Sequence, residues 1–90
     1  MGLLNQLDNP FMTIIQFAEM KVVRGGTAME GLVELKEKMD ETPNKNEVAD
    51  RRIRQAISFV EDKFPTTFIE DNNHIVQGSI ILAMKTKLEE

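Results

Sequence analysis

Ninety residues supply one small domain, and 41% apolar with 29% charged residues is a globular balance that excludes a disordered or collagen-like chain. Eleven Lys and Arg against fifteen Asp and Glu leave a net charge of −4, which argues against a general nucleic-acid coat. The lack of cysteine excludes a disulfide framework and a thiolate metal site, and the apolar runs are too short to span a membrane.

The chain opens Met-Gly with no basic, hydrophobic leader, and Gln6 stands where a myristoylation signal wants Ser or Thr. These features predict a cytoplasmic, single helical domain over residues 1–90. Six Met and five Phe without Trp or Tyr suit adaptable helix-on-helix contacts. Small domains lacking disulfides and metals often gain stability by oligomerising.

Three prolines divide the chain into helical stretches. Asn9-Pro10 opens a first helix that runs to Val23, where Arg24-Gly25-Gly26 provides the left-handed exit. Phe11, Ile14, Ile15, Ala18 and Val22 form one apolar stripe of this helix. Met12, Phe17, Met20 and Val23 lie on its other sides. Apolar residues nearly all round demand a second contact. Either the helix sits centrally in the fold, or it forms a subunit interface.

Thr27 with Glu30 is a capping box that opens the second helix, followed by Ala28, Leu32, Leu35 and Met39 at helical spacing. Asp40-Glu41-Thr42-Pro43 closes it. Asn44 with Glu47 resembles the same pattern and opens the third helix. There Ala49, Ile53, Ala56, Ile57, Val60 and Phe64 share a face, and Pro65 ends it. The second and third helices should form an antiparallel hairpin. Residues 66–90 read as a turn and a final helix from about Asn73, with Val76, Ile80, Met84 and Leu88 in one row. The competing reading pairs Thr66–Ile69 with His74–Gln77 as strands.

The fold expected is therefore an all-α bundle of three or four helices around a helical hairpin, and oligomeric. Its expected core is Ile14, Phe17, Ala18, Leu32, Leu35, Met39, Ile53, Ala56, Ile57, Val60, Phe64, Ile80 and Met84.

Catalytic chemistry finds little support. His74 is the only histidine, no Cys or Tyr exists to partner it, and a turn histidine is ordinarily solvated. No metal-ligand spacing, phosphate loop or dinucleotide fingerprint is present, so no metal or cofactor is expected. Two features suit an anion instead. Arg24-Gly25-Gly26-Thr27 leads a charged loop into a helix N-terminus, although Thr27 and Glu30 can satisfy the same donors themselves. Arg51, Arg52 and Arg54 cluster in an otherwise acidic protein. Arg52 and Arg54 flank the apolar stripe, where they can reach across an interface or pair within the helix with Glu47 and Asp50.

Several short motifs occur in order: Glu19-Met20-Lys21 near a helix end, a Thr42-Pro43 turn, an Arg-bearing helix, then Pro65-Thr66-Thr67-Phe68. In this order residues 19–68 resemble the small phage proteins that sequester cyclic oligonucleotide messengers and blunt the bacterial CBASS defence. The resemblance implies an all-helical homo-oligomer that binds cyclic di- or trinucleotides between subunits without cleaving them. Under that reading Arg24, Gly25, Gly26 and Thr27 supply a donor-rich loop, Arg52 and Arg54 supply charge, and Phe11 supplies a stacking surface. The rival reading is a small acidic module that docks on a host or partner protein through the first helix or the Glu-rich face of the second. A purely structural assembly protein is a third, and an enzyme comes last.

Overall fold

The computed structural model describes residues 10–44 and 46–89, with side chains from Thr13 onward. Five helices follow in order: α1 (Pro10–Val23), α2 (Ala28–Glu41), α3 (Glu47–Lys63), α4 (Thr66–Ile69) and α5 (His74–Glu89). No strand occurs among the described residues. The fold is all-α, with four long helices and the single turn of α4.

Most helix ends form where the local chemistry demands. Pro10 is the first residue of α1, where its missing N–H is no loss. Its expected cap, Asn9, lies outside the described residues. At the other end Gly25 adopts φ 91°, its N–H donates to the Val22 carbonyl, and the Gly26 N–H donates to the Lys21 carbonyl, both at 2.9 Å. This crossed pair of bonds is the left-handed helix exit that the two glycines predict. Thr27 and Glu30 close their capping box at 2.7 and 3.1 Å.

The start of α3 differs from expectation. Asn46, not Asn44, is the cap, and its side-chain oxygen accepts from the Val48 and Ala49 N–H groups at 3.0 and 3.1 Å. Asn44 sits at φ 57°, a left-handed turn that asparagine tolerates better than most residues, so it reverses the chain after Pro43. The strand alternative for residues 66–77 is also excluded. Pro65 fixes its own φ at −69° and leaves a free carbonyl, which accepts from the Phe68 and Ile69 N–H groups at 2.9 and 3.1 Å. That closure outweighs the β propensity of Thr66 to Ile69. Asn73 then caps α5, accepting from the Ile75 N–H at 2.8 Å.

α1 packs against α2, α5 and α3, and this central placement covers Ile14, Ile15 and Ala18 while Met20 and Val23 stay exposed. Ile14, Ile15 and Ala18 are fully buried, together with Leu32, Leu35, Met39, Ile53, Ala56, Val60, Ile80 and Met84. Phe17, Ile57 and Phe64 are corrected from core to half-buried, packed at its margin. Ala28, Ala49, Ile81 and Leu88 complete the interior. Gly31 allows α1 and α2 to touch backbone to backbone. A Cβ there would lie 3.0 Å from the Ala18 Cα and 3.1 Å from the Phe17 carbonyl oxygen.

One core residue is polar. Gln77 is 0% exposed. Its Oε1 accepts from the Ala28 N–H at 2.8 Å, and its Nε2 donates to the Phe68 and Asp71 carbonyls at 3.1 and 2.5 Å. The amide thus joins the start of α2 to the turn that links α4 with α5.

Removing one partner of a buried hydrogen bond costs roughly 1–3 kcal/mol, and Gln77→Ala should lower stability by that amount in chemical denaturation. Gln77→Glu should behave differently with pH. An ionised carboxylate would face backbone carbonyls, so its folded pKa is raised above the unfolded one. Its stability contribution is therefore intact below the ordinary carboxylate range and lost as pH rises through the raised value. The variant should approach the parent at acid pH and fall away towards neutrality. For the apolar core, Ile53→Ala should cost roughly 2–5 kcal/mol, and the half-buried Ile57→Ala distinctly less.

Candidate functional site

The elbow between α1 and α2 gathers most of the residues singled out in the sequence. Arg24, Gly25, Gly26 and Thr27 line one side of an open cleft of about 630 Å³. Lys21, Met29 and Glu30 continue its wall, and Ile69, Glu70 and Asn72 approach from the α4–α5 turn. The two sides are held together by Gln77, whose amide bonds Ala28 on one and Phe68 and Asp71 on the other.

The donors at the α2 N-terminus are largely occupied from within. The Thr27 N–H donates to the Glu30 carboxylate, the Glu30 N–H to the Thr27 hydroxyl, and the Ala28 N–H to Gln77. Glu30 itself sits where an anion would be drawn by the helix dipole. Capping, not an open anion cradle, is what these backbone groups do. Arg24 supplies positive charge at this end, and no ion pair involving it is found among the described residues.

Arg24 also borders a second, shallower cleft of about 500 Å³ with Gln16, Glu19, Met20 and Val23. Met20 is 48% exposed and Val23 85%. Apolar side chains thus flank the arginine on the outer side of α1, while the elbow cleft flanks it on the other. Behind them Lys21 bridges to Glu34 of α2. The hydrogen bond from Lys21 holds the Glu34 carboxyl below its usual range, assisted by the charges of Lys21, Lys38 and Arg24 and opposed by slight burial.

The remaining expected site residues lie elsewhere. Arg52 and Arg54 are exposed on α3 and line neither cleft. Arg54 pairs with Asp50 at 3.0 Å and Asp40 at 3.8 Å, and Arg52 donates to Gln55 at 3.3 Å. The side chain of Phe11 lies outside the described residues. His74 is exposed at the start of α5. No group of three His, Cys, Asp or Glu able to hold a metal occurs among the described residues. No helix among them is long and apolar enough to cross a membrane.

Sequence reasoning gave Lys21, Gln77 and the α4–α5 turn no place in the site. Gln77 does carry a signal: it stands one helical turn before Ile81 and two before Met84, on the face that must be buried.

Compared with known proteins, no family model, no curated protein and no solved structure matches this chain.

The Lys21–Glu34 bridge has a direct test. In a carbon-detected NMR titration, Glu34 should titrate below the ordinary carboxylate range, and Lys21→Met should return it there. Because its folded pKa is depressed, its stabilising contribution is present above that range and lost as pH falls through the lowered value.

Proposed function

We propose that this chain is a non-catalytic interaction protein that docks on a partner protein through the C-terminal end of α1. The observation that carries this reading is Arg24 standing between exposed Met20 and Val23 on one side and the elbow cleft on the other. Apolar anchors beside a guanidinium fit a segment that presents an apolar side chain next to a carboxylate. In this reading α2 and α3 form the antiparallel hairpin that backs α1.

The second reading is the one implied by the resemblance: sequestration of a cyclic di- or trinucleotide. It is favoured by the convergence of Arg24, Gly25, Gly26 and Thr27 on one cleft of about 630 Å³. Against it stand Glu30 and Glu70 in the same wall and the occupied donors of α2. The reading also requires a second subunit to bring Arg52 and Arg54 to the elbow. It therefore ranks behind docking.

Arg24→Ala should weaken binding under both readings, and Met20→Glu only under docking. Calorimetry against a panel of cyclic di- and trinucleotides separates them. Silence across the panel, with a specific protein partner lost in both variants, is the expected result. Micromolar binding of a cyclic nucleotide that weakens at least tenfold, or about 1.4 kcal/mol, in Arg24→Ala but not in Met20→Glu would reverse the ranking.

A further inference from the structure

The outer face of α5 plays no part in the elbow. From His74 to Met84 the chain contains no Asp, Glu, Lys or Arg, although 29% of the sequence is charged. α5 is nevertheless a surface helix. Gln77, Ile80, Ile81, Met84 and Leu88 face the core, while Ile75, Gly78, Ser79, Leu82 and Thr86 are exposed. Ile75 is 70% exposed and Leu82 65%. Seven residues apart, they lie almost in line along the helix, with Gly78 and Ser79 on either side of that line. A surface helix that is apolar on both faces has a contact left uncovered by the described residues of its own subunit.

Gly78 strengthens the case. Glycine inside a helix weakens it, and packing among the described residues gives no reason for one here, because a Cβ at Gly78 would meet none of them within 4 Å. Its missing side chain leaves room for a close approach from outside.

We propose that this face is a two-fold contact between two copies of the chain, with α5 packed antiparallel on α5 about a centre between Gly78 and Ser79. The pattern is self-complementary in that register. Ile75 of each copy meets Leu82 of the other, and Gly78 meets Ser79, so the backbones approach most closely at the axis. Lys85, exposed at one end, comes over the exposed Glu70–Asp71 turn at the start of the other copy's helix. The helix dipoles also oppose one another favourably. A parallel pairing would instead set Lys85 on Lys85 and Asp71 on Asp71. Matching of a surface to itself under reversal is the mark of an isologous contact, and it selects a second copy over an unrelated partner. The centre of the contact, Ile75, Gly78, Ser79 and Leu82, lines neither cleft, and Leu82→Glu leaves Met20, Val23 and Arg24 in place, so its failure and that of the docking reading are distinguishable.

The chain has no cysteine, so Ser79→Cys would place a single thiol beside the two-fold axis. Under mild oxidation this variant should form a disulfide-linked dimer, while Ser58→Cys, exposed on α3, stays uncrosslinked at the same concentration. Light scattering should report twice the 10.3 kDa chain mass for the parent protein, falling to the chain mass in Leu82→Glu with far-UV circular dichroism unchanged. If that variant loses helicity, the crosslinking pair decides. A monomer at every concentration up to about 1 mM, equal crosslinking of the two cysteine variants, or an assembly that a folded Leu82→Glu leaves intact would overturn the proposal.

Discussion

A single buried amide links the start of α2 to α5. Ala28 is fully buried, and its N–H is one of the donors that a helix start leaves without an intrahelical partner. Water cannot reach it, so the protein must supply the acceptor, and it does so from Gln77, 49 residues away in sequence. The other end of the same amide donates to the Phe68 and Asp71 carbonyls of the α4–α5 turn. With both ends engaged, the amide sets where α5 begins relative to α2. That is why the α1–α2 elbow and the α4–α5 turn lie side by side and share a cleft.

Local chemistry made much of the fold legible in advance. The capping box at Thr27, the glycines after α1 and the stripe of α3 each depend on residues a few positions apart. The first two form as the sequence suggests, and the stripe buries Ala49, Ile53, Ala56 and Val60 but leaves Ile57 and Phe64 half-buried. Failures arose where local signals competed. Asn44 and Asn46 are both plausible caps; the turn after Pro43 needs a left-handed residue, which takes Asn44 and leaves Asn46 to cap. The β-branched run after Pro65 favours strands by propensity, yet the segment it would pair with, His74–Gln77, is part of α5, and the proline carbonyl closes a helical turn. Long-range polar pairing was illegible for a different reason. A glutamine in an apolar row shows that a partner is needed, but not that the partner is Ala28.

The candidate site follows the same division. Arg24 to Thr27 come together because they are neighbours in sequence, whereas Arg52 and Arg54 belong to a helix that turns them elsewhere. There Arg54 pairs with Asp40 of α2 and Asp50 of α3, and exposed pairs of that kind contribute little to stability, while Arg52 donates to Gln55. What sets the α1 end apart is a mixture of features: apolar side chains, an arginine, and a wall carrying both signs of charge. Such a surface suits recognition of a shaped partner better than general attraction of anions.

Gly31 has a consequence for that recognition. Because its missing side chain lets α1 and α2 meet backbone to backbone at Ala18, the two helices are held at close range at that point. The elbow is further clamped by the crossed bonds at Gly25 and Gly26, the capping box, and the Gln77 amide. Under the docking proposal, a partner at Arg24 would meet a backbone platform already held in one arrangement by these contacts. Little ordering entropy opposes association beyond that of the arginine and its apolar neighbours, so even a small footprint can give a specific complex.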